Sequence, residues 1–192
     1  VVAIDLDRSI ELVIGVLGIL KAGAAYLPLD RSQPSLRLEQ LQREAGARLL
    51  LTADHAANGP ASLPGLSIEA AAGAAPSNGR RARRPPARLQ GENLAYVLFT
   101  SGSSGKPKAV GNTHAGLAER IAWMQREYQL GSLDAVLHKT PIGFDVAVWE
   151  LLWPLTAGAR LVVAPPGDHR DPERLARLIQ REAVTTLHFV PS

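Results

Sequence analysis

Cysteine is absent from this 192-residue chain. That excludes a disulfide framework and any thiolate metal site. Methionine occurs once, as Met124, so Val1 is not an initiator. Aromatic residues are scarce, at 5%. None is interleaved with the most basic run, "GRRARRPPAR" at 79–88. A basic run without aromatics, carrying two prolines, reads as a solvated connection and not as a nucleic-acid patch. Long hydrophobic runs are also missing. The longest, Leu12 to Leu20, is too short to span a bilayer. No signal-peptide pattern precedes it. The charge excess is small, with 21 Lys and Arg against 18 Asp and Glu. Neither a nucleic-acid nor a membrane partner is expected, and the expected location is cytoplasmic.

The chain is 46% hydrophobic, in the range of globular domains. It opens on "VVAIDLD" and closes on "TTLHFVPS". Both ends look cut, so a piece of something longer is expected. Short apolar or β-branched runs recur at Val1–Leu6, Ala24–Leu29, Arg48–Leu51, Leu94–Phe99, Ala135–His138, Arg160–Val163 and Thr185–Val190. Their length and residue types predict strands, several covered on both faces. Helical patterns fall between them at Ser9–Ala22, Pro34–Glu44, His114–Tyr128, Val146–Leu155 and Pro172–Glu182. In the last, Asp171-Pro172 is a cap followed by proline in the first turn. Strands alternating with helices predict an α/β layered fold, mainly parallel sheets with flanking helices. The segment 53–88, rich in Ala, Gly, Pro and Arg, breaks the rhythm and is expected to be an irregular connection.

One stretch carries chemistry, "YVLFTSGSSGKPKAV" from Tyr96 to Val110. A strand running into a Gly/Ser loop suits an anion. Glycines let backbone N–H groups turn inward, serines add hydroxyl donors and lysines add charge. It is not a Walker loop. Thr100 stands where that loop needs its first glycine, and Pro107 where it needs Ser or Thr for magnesium. Proline also biases Lys106 away from helix. On these residues alone, a different phosphate loop and a polar turn both stay open.

The longer string "LAYVLFTSGSSGKPKAV" resembles the phosphate-loop signature of the adenylate-forming enzymes. More narrowly, it resembles the amino-acid-activating adenylation domains of nonribosomal peptide synthetases. "LKAGAAYLPLD" (Leu20 to Asp30) is similar to that family's early strand-and-turn motif. "FDVAVWELLWPLTAGARLVV" (Phe144 to Val163) is similar to its substrate-binding helix and following strand. With "HRDPERL" and "TTLHFVPS" the resemblance covers the whole chain. It implies part of the large N-terminal subdomain of an adenylation domain. Four positions depart from the pattern. Ala109 replaces a usual glycine, at a cost of about 1 kcal/mol if a positive φ is needed there. Ser104 replaces a common threonine and keeps the hydroxyl, and Arg31 and Gln33 stand where proline and tyrosine are frequent.

The resemblance implies a reaction in two steps. A carboxylate attacks the α-phosphorus of ATP and expels pyrophosphate, and a carrier-protein thiol then captures the adenylate. Thr100, Ser101, Gly102, Ser103, Ser104, Gly105, Lys106 and Lys108 would cradle the β- and γ-phosphates. Asp145 would face the substrate's α-ammonium, although an Asp opening a helix also reads as an N-cap. Val146, Trp149 and His188 would line the same pocket. Asp145, Val146 and Trp149 fall on one side of a helix. This series resembles the opening of a serine-type pocket, so serine is the expected amino acid. His114, His138 and His169 read as structural, and Glu150 and Trp153 read equally well as packing residues. ATP, Mg2+ with no assignable ligand, phosphopantetheine on a peptidyl carrier protein, and neighbouring synthetase domains are the implied cofactors and partners. The family's ribose-binding acid, hinge and catalytic lysine would lie beyond Ser192, leaving the isolated chain inactive. Two other readings remain, an acyl-CoA-synthetase-like ligase and a noncatalytic anion-binding fragment.

Overall fold

A computed structural model describes residues 1–53, 63–73, 89–100 and 107–189. The chain divides into two compact units, Val1–Leu6 with Glu11–Leu117, and Asp7–Ile10 with Ala118–Ser192.

The first unit is built on a six-stranded sheet. In chain order its elements are β1 (Val2–Asp5), α1 (Ile10–Lys21), β2 (Tyr26–Pro28), α2 (Ser35–Glu44), β3 (Leu49–Thr52), β4 (Gly65–Ser67), α3 (Ile68–Gly73), β5 (Leu94–Thr100) and β6 (Lys108–Thr113). The order across the sheet is β4-β3-β1-β2-β5-β6. Pairing is parallel until β6, which runs antiparallel to β5. Ala3, Leu27, Leu29, Leu38, Leu50 and Val97 form a buried cluster drawn from four strands and α2. These apolar runs have both faces covered, which is why they read as continuous and not as alternating. Tyr26 and Tyr96 pair across β2 and β5, and their rings stack with centroids 5.7 Å apart. Helix α1 lies tight on the sheet because Gly15 has no side chain. A Cβ there would come within 2.8 Å of Leu51 Cδ2 and 3.0 Å of Ile4 Cδ1.

The second unit contains most of α4 (His114–Tyr128), then β7 (Ala135–His138), α5 (Asp145–Ala157), β8 (Arg160–Val163) and α6 (Pro172–Arg181). β7 and β8 pair in parallel, from Ala135 opposite Arg160 to His138 opposite Val163. One side of β7 packs with Val162, Ala164, Leu175 and Leu178. The other packs with Met124, Leu130 and Trp153. Helix α5 ends on Gly158 in the left-handed conformation (φ 74°), whose N–H returns to Pro154 O. Helix α6 starts as its sequence predicts, with Asp171 accepting from the N–H groups of Glu173 and Arg174.

Three expectations need correction. The segment 53–88 is not wholly irregular, since its described residues include β4 and α3. Strand β6 was not expected, because "KAVGNT" is polar and mostly exposed. Pairing with the buried β5 makes it a strand. The run Thr185–Val190 does not form a regular strand among its described residues. Thr186 makes an isolated parallel bridge to Val136, and 187–189 carry no regular structure. The N–H groups of Thr185 and Thr186 both go to Ala135 O, which interrupts an evenly spaced parallel ladder.

No helix among the described residues is long and apolar enough to cross a membrane.

Candidate functional site

In the first unit, β5 and β6 bring Thr100 opposite Lys108 as the last pair of an antiparallel hairpin. Both are exposed. Thr100 and Lys108 therefore stand side by side where the Gly/Ser segment leaves and rejoins the sheet. Ser101, Gly102, Ser103, Ser104, Gly105 and Lys106 lie outside the described residues. Ala109 pairs with Phe99 inside β6, and it is not among the residues with positive φ. The departure at that position carries no backbone strain. A Cβ at Gly111 would approach Leu94 Cδ2 to 2.8 Å, a contact that the exposed Leu94 side chain can relieve by turning.

In the second unit, α5 arranges Asp145, Val146 and Trp149 as the helical pattern predicts. Asp145 is exposed, and Val146 and Trp149 are half-buried. The intervening Ala147 and Val148, and then Glu150 to Pro154, are buried. Asp145 is not the N-cap. That place belongs to Phe144, which offers no side-chain bond, and Asp145 is the first helical residue. Its Oδ1 accepts the N–H of Val146 at 2.9 Å. A carboxylate there is favoured by the partial positive charge of the helix start.

Trp149 is braced from two sides. Its ring meets Trp153 at 6.0 Å and His188 at 5.7 Å, both edge-on. Trp153 is itself fixed, with Nε1 donating to Gln125 Oε1 at 2.8 Å. Such aromatic pairs contribute about 0.5–1.5 kcal/mol beyond the area they bury. So Trp149 and His188, 39 positions apart in the numbering, are in contact. His188 does not lie on a strand, and its Nδ1 is buried with no hydrogen-bond partner among the described residues.

Behind α5 lies a polar cluster that sequence reasoning missed. Glu150 is fully buried. Its Oε2 accepts from the N–H of Thr140 at 2.9 Å, from the N–H of Lys139 at 3.1 Å and from His138 Nδ1 at 3.1 Å. Its Oε1 accepts from Thr140 Oγ1 at 2.6 Å. Burial pushes the Glu150 carboxyl up, but the bonds from His138 and Thr140 outweigh it and leave the pKa below the usual glutamate value. The carboxylate only accepts, so His138 donates through Nδ1. The other ring nitrogen, Nε2, is buried without a partner among the described residues.

Arg8 grips the same turn. Its guanidinium donates to Ala164 O at 2.7 Å, to Lys139 O and to Pro165 O at 3.1 Å, and it lies 3.1 Å from His169 Nδ1. Burial lowers the Arg8 pKa, while the charges of Glu150 and Asp168 act the other way. Only the "FDVAVWE" string hinted at any of this, by placing a Glu among the apolar residues that follow Asp145.

The comparisons with known proteins agree with one another. The chain matches the family described as AMP-binding enzyme over residues 1–192. The chain belongs to the AMP-binding enzyme family. It is 45% identical over 195 residues to the phosphinothricin tripeptide synthetase PhsB of Streptomyces viridochromogenes, covering 100% of this chain and 16% of that protein. Klebsiella oxytoca NpsA has been solved as an N-terminal subdomain with 3-hydroxybenzoyl-AMSN, at 33% identity and a TM-score of 0.84. That match covers 97% of this chain and 46% of that one. NpsA has also been solved in an artificially fused adenylation–PCP di-domain, NpsA-ThdA, at 32% identity and a TM-score of 0.84, covering 97% of this chain and 36% of that one. The nonribosomal peptide synthetase FmoA3, solved with α-methyl-L-serine-AMP, is 30% identical with a TM-score of 0.78, covering 96% of this chain and 20% of that one. This AMP-binding chain therefore has the fold of the N-terminal subdomain of adenylation domains and is of the nonribosomal peptide synthetase type. It spans 16% of PhsB and less than half of NpsA.

Among the described residues of this AMP-binding chain, no group of three or more His, Asp or Glu side chains gathers to hold a metal ion. No magnesium ligand is assigned.

Proposed function

We propose that the chain serves amino-acid activation, in which ATP and an amino acid give an aminoacyl-adenylate and pyrophosphate. The observation that carries this is Asp145, an exposed carboxylate at the start of α5, beside a braced Trp149 in contact with His188. A carboxylate so placed answers an α-ammonium, which fatty and aryl acids lack. That favours amino-acid activation over an acyl-CoA-synthetase-like reaction. A charge-assisted hydrogen bond of this kind contributes roughly 1.5–3 kcal/mol.

In the first step a negative carboxylate approaches a negative triphosphate, so catalysis is mostly positioning and charge stabilisation. Thr100 and Lys108, with Ser101, Gly102, Ser103, Ser104, Gly105 and Lys106 between them, hold the β- and γ-phosphates through N–H groups, hydroxyls and lysine charge. Magnesium, when bound, neutralises triphosphate charge. Val146, Trp149 and His188 select the side chain. The adenylate then passes to the phosphopantetheine thiol of a peptidyl carrier protein within the synthetase.

The proposed amino acid is serine. A tryptophan at position 149 suits a short substrate side chain, and His188 Nδ1, unpartnered among the described residues, can take a hydrogen bond from a hydroxyl. A site built for a hydroxyl rejects an analogue lacking it, because its own polar atom is then unpaired. FmoA3, whose structure holds α-methyl-L-serine-AMP, supports the same choice. Amino-acid-dependent ATP–pyrophosphate exchange, measured on the full-length protein with an amino-acid panel, tests both levels. Serine should lead, with alanine and threonine weaker. A large apolar or charged amino acid leading would overturn serine and keep amino-acid activation. Exchange driven only by acids without an amino group would overturn both.

A further inference from the structure

We infer that Glu150 and Arg8 are positioning residues that jointly hold one peptide unit, Lys139–Thr140, and through it set the place of Asp145. This rests on the reading of Asp145 as the ammonium partner.

The geometry is specific. Lys139 N–H donates to Glu150 Oε2, and Lys139 C=O accepts from Arg8 Nη1. An anion grips one end of the residue and a cation grips the other. The two charged groups feel each other, yet no ion pair forms between them among the described residues. The Lys139 side chain is held too, with Nζ 4.8 Å from the centroid of the Phe189 ring. Thr140 is fixed next, through its N–H and hydroxyl on the two oxygens of Glu150.

From that anchor only Pro141, Ile142, Gly143 and Phe144 lead to Asp145. They turn tightly, with Phe144 N–H on Pro141 O at 3.0 Å. Glu150 lies on α5 itself, little more than one turn beyond Asp145. Its bonds to Thr140 therefore close the segment 140–150 into a ring with Asp145 on it. A carboxylate that must meet an ammonium within a few tenths of an ångström needs such a frame. Burial of a full charge to hold backbone N–H groups is costly in a purely structural role. Here the charge is matched by Arg8 across the peptide it fixes.

The test uses the full-length protein and reads the exchange KM for amino acid and for ATP separately. Glu150→Gln keeps the shape and removes the charge. Arg8→Gln frees the carbonyl end. Each should raise the amino-acid KM about tenfold and leave the ATP KM within about twofold. Thr140→Val, which keeps the side-chain shape and removes only the hydroxyl bond to Glu150 Oε1, should raise the amino-acid KM about threefold. It decides the matter if either charged-site variant is insoluble. Asp145→Ala is run alongside. If Asp145→Ala retains normal exchange, the underlying reading fails. If Asp145→Ala loses exchange while the other variants leave the amino-acid KM unchanged, or shift both KM values together, only this inference fails.

Discussion

His169 faces three cationic groups, Arg8, Arg170 and Lys139, and its Nδ1 sits 3.1 Å from Arg8 Nη2. Burial lowers its pKa below the ordinary 6.5, and the charges of Arg8, Arg170 and Lys139 lower it further. Only the neutral ring accepts from Arg8. The folded value lies below the unfolded one, so this contribution to stability is fully present above pH 6.5 and is lost as pH falls through the folded value. The ring proton resonances of His169 should titrate with a midpoint below 6.5, and Arg8→Gln should move that midpoint upward. Asp145→Ala should cut amino-acid-dependent exchange about 10–100-fold in kcat/KM while ATP binding persists. Equal loss of both would make Asp145 a structural helix starter. At this scale the sequence was readable wherever a residue belongs to a contiguous string, as Asp145, Val146 and Trp149 do. It was not readable for Glu150 or Arg8. Their partners are backbone groups at Lys139, Thr140, Ala164 and Pro165, and backbone groups leave no mark in residue type.

Helix α1 carries two glycines with opposite surroundings. At Gly15 a Cβ would press on Leu51 and Ile4, and at Gly18 it would meet nothing within 4 Å. Alanine gains about 1 kcal/mol of helix propensity at either place. At Gly15 overpacking of about 1–3 kcal/mol exceeds that gain. Gly18→Ala should therefore slow hydrogen exchange of the α1 amides in the full-length protein, and Gly15→Ala should speed it. Matching effects at both sites would show that packing on the sheet does not decide. Among elements, those buried or capped by their own residues were legible. β7 matches its apolar run from Ala135 to His138, and α6 starts at the residue that Asp171-Pro172 marks. β6 and the 185–189 segment were misjudged for a shared reason. One is polar yet paired to β5, and the other is apolar yet loses its ladder at Ala135. In both, the hydrogen-bonding neighbour decides and the local pattern does not.

For the molecule as a whole, the six-stranded sheet ends at β6, and Lys108, Ala109 and Val110 there are exposed. Val110 is 43% exposed. An edge strand with an apolar exposed residue is a template for further pairing. The 192-residue chain on its own should show concentration-dependent association in sedimentation velocity. Val110→Lys should reduce it, because a charge on an edge disfavours pairing. Unchanged association would place the contact elsewhere, for example at Phe144 or Phe189, which are 62% and 59% exposed. The layered α/β class was legible at this scale because strand and helix patterns alternate along the chain. The antiparallel turn at β6 was not, since its connection is the Gly/Ser segment, which reads as loop chemistry.

The grip on Lys139 also constrains anyone who would recombine such domains. Arg8 comes from near the start of the chain, and Glu150 travels with α5. A chimera that imports a foreign α5 and pocket segment, with its junction between Arg8 and Lys139, brings one half of the clamp and inherits the other. A graft would keep its register only if the host supplies a guanidinium at the Arg8 position, aimed at the incoming carbonyl. Junctions placed before Arg8 would carry the clamp intact, and pocket transplants cut later would succeed or fail on a residue far from the pocket in sequence.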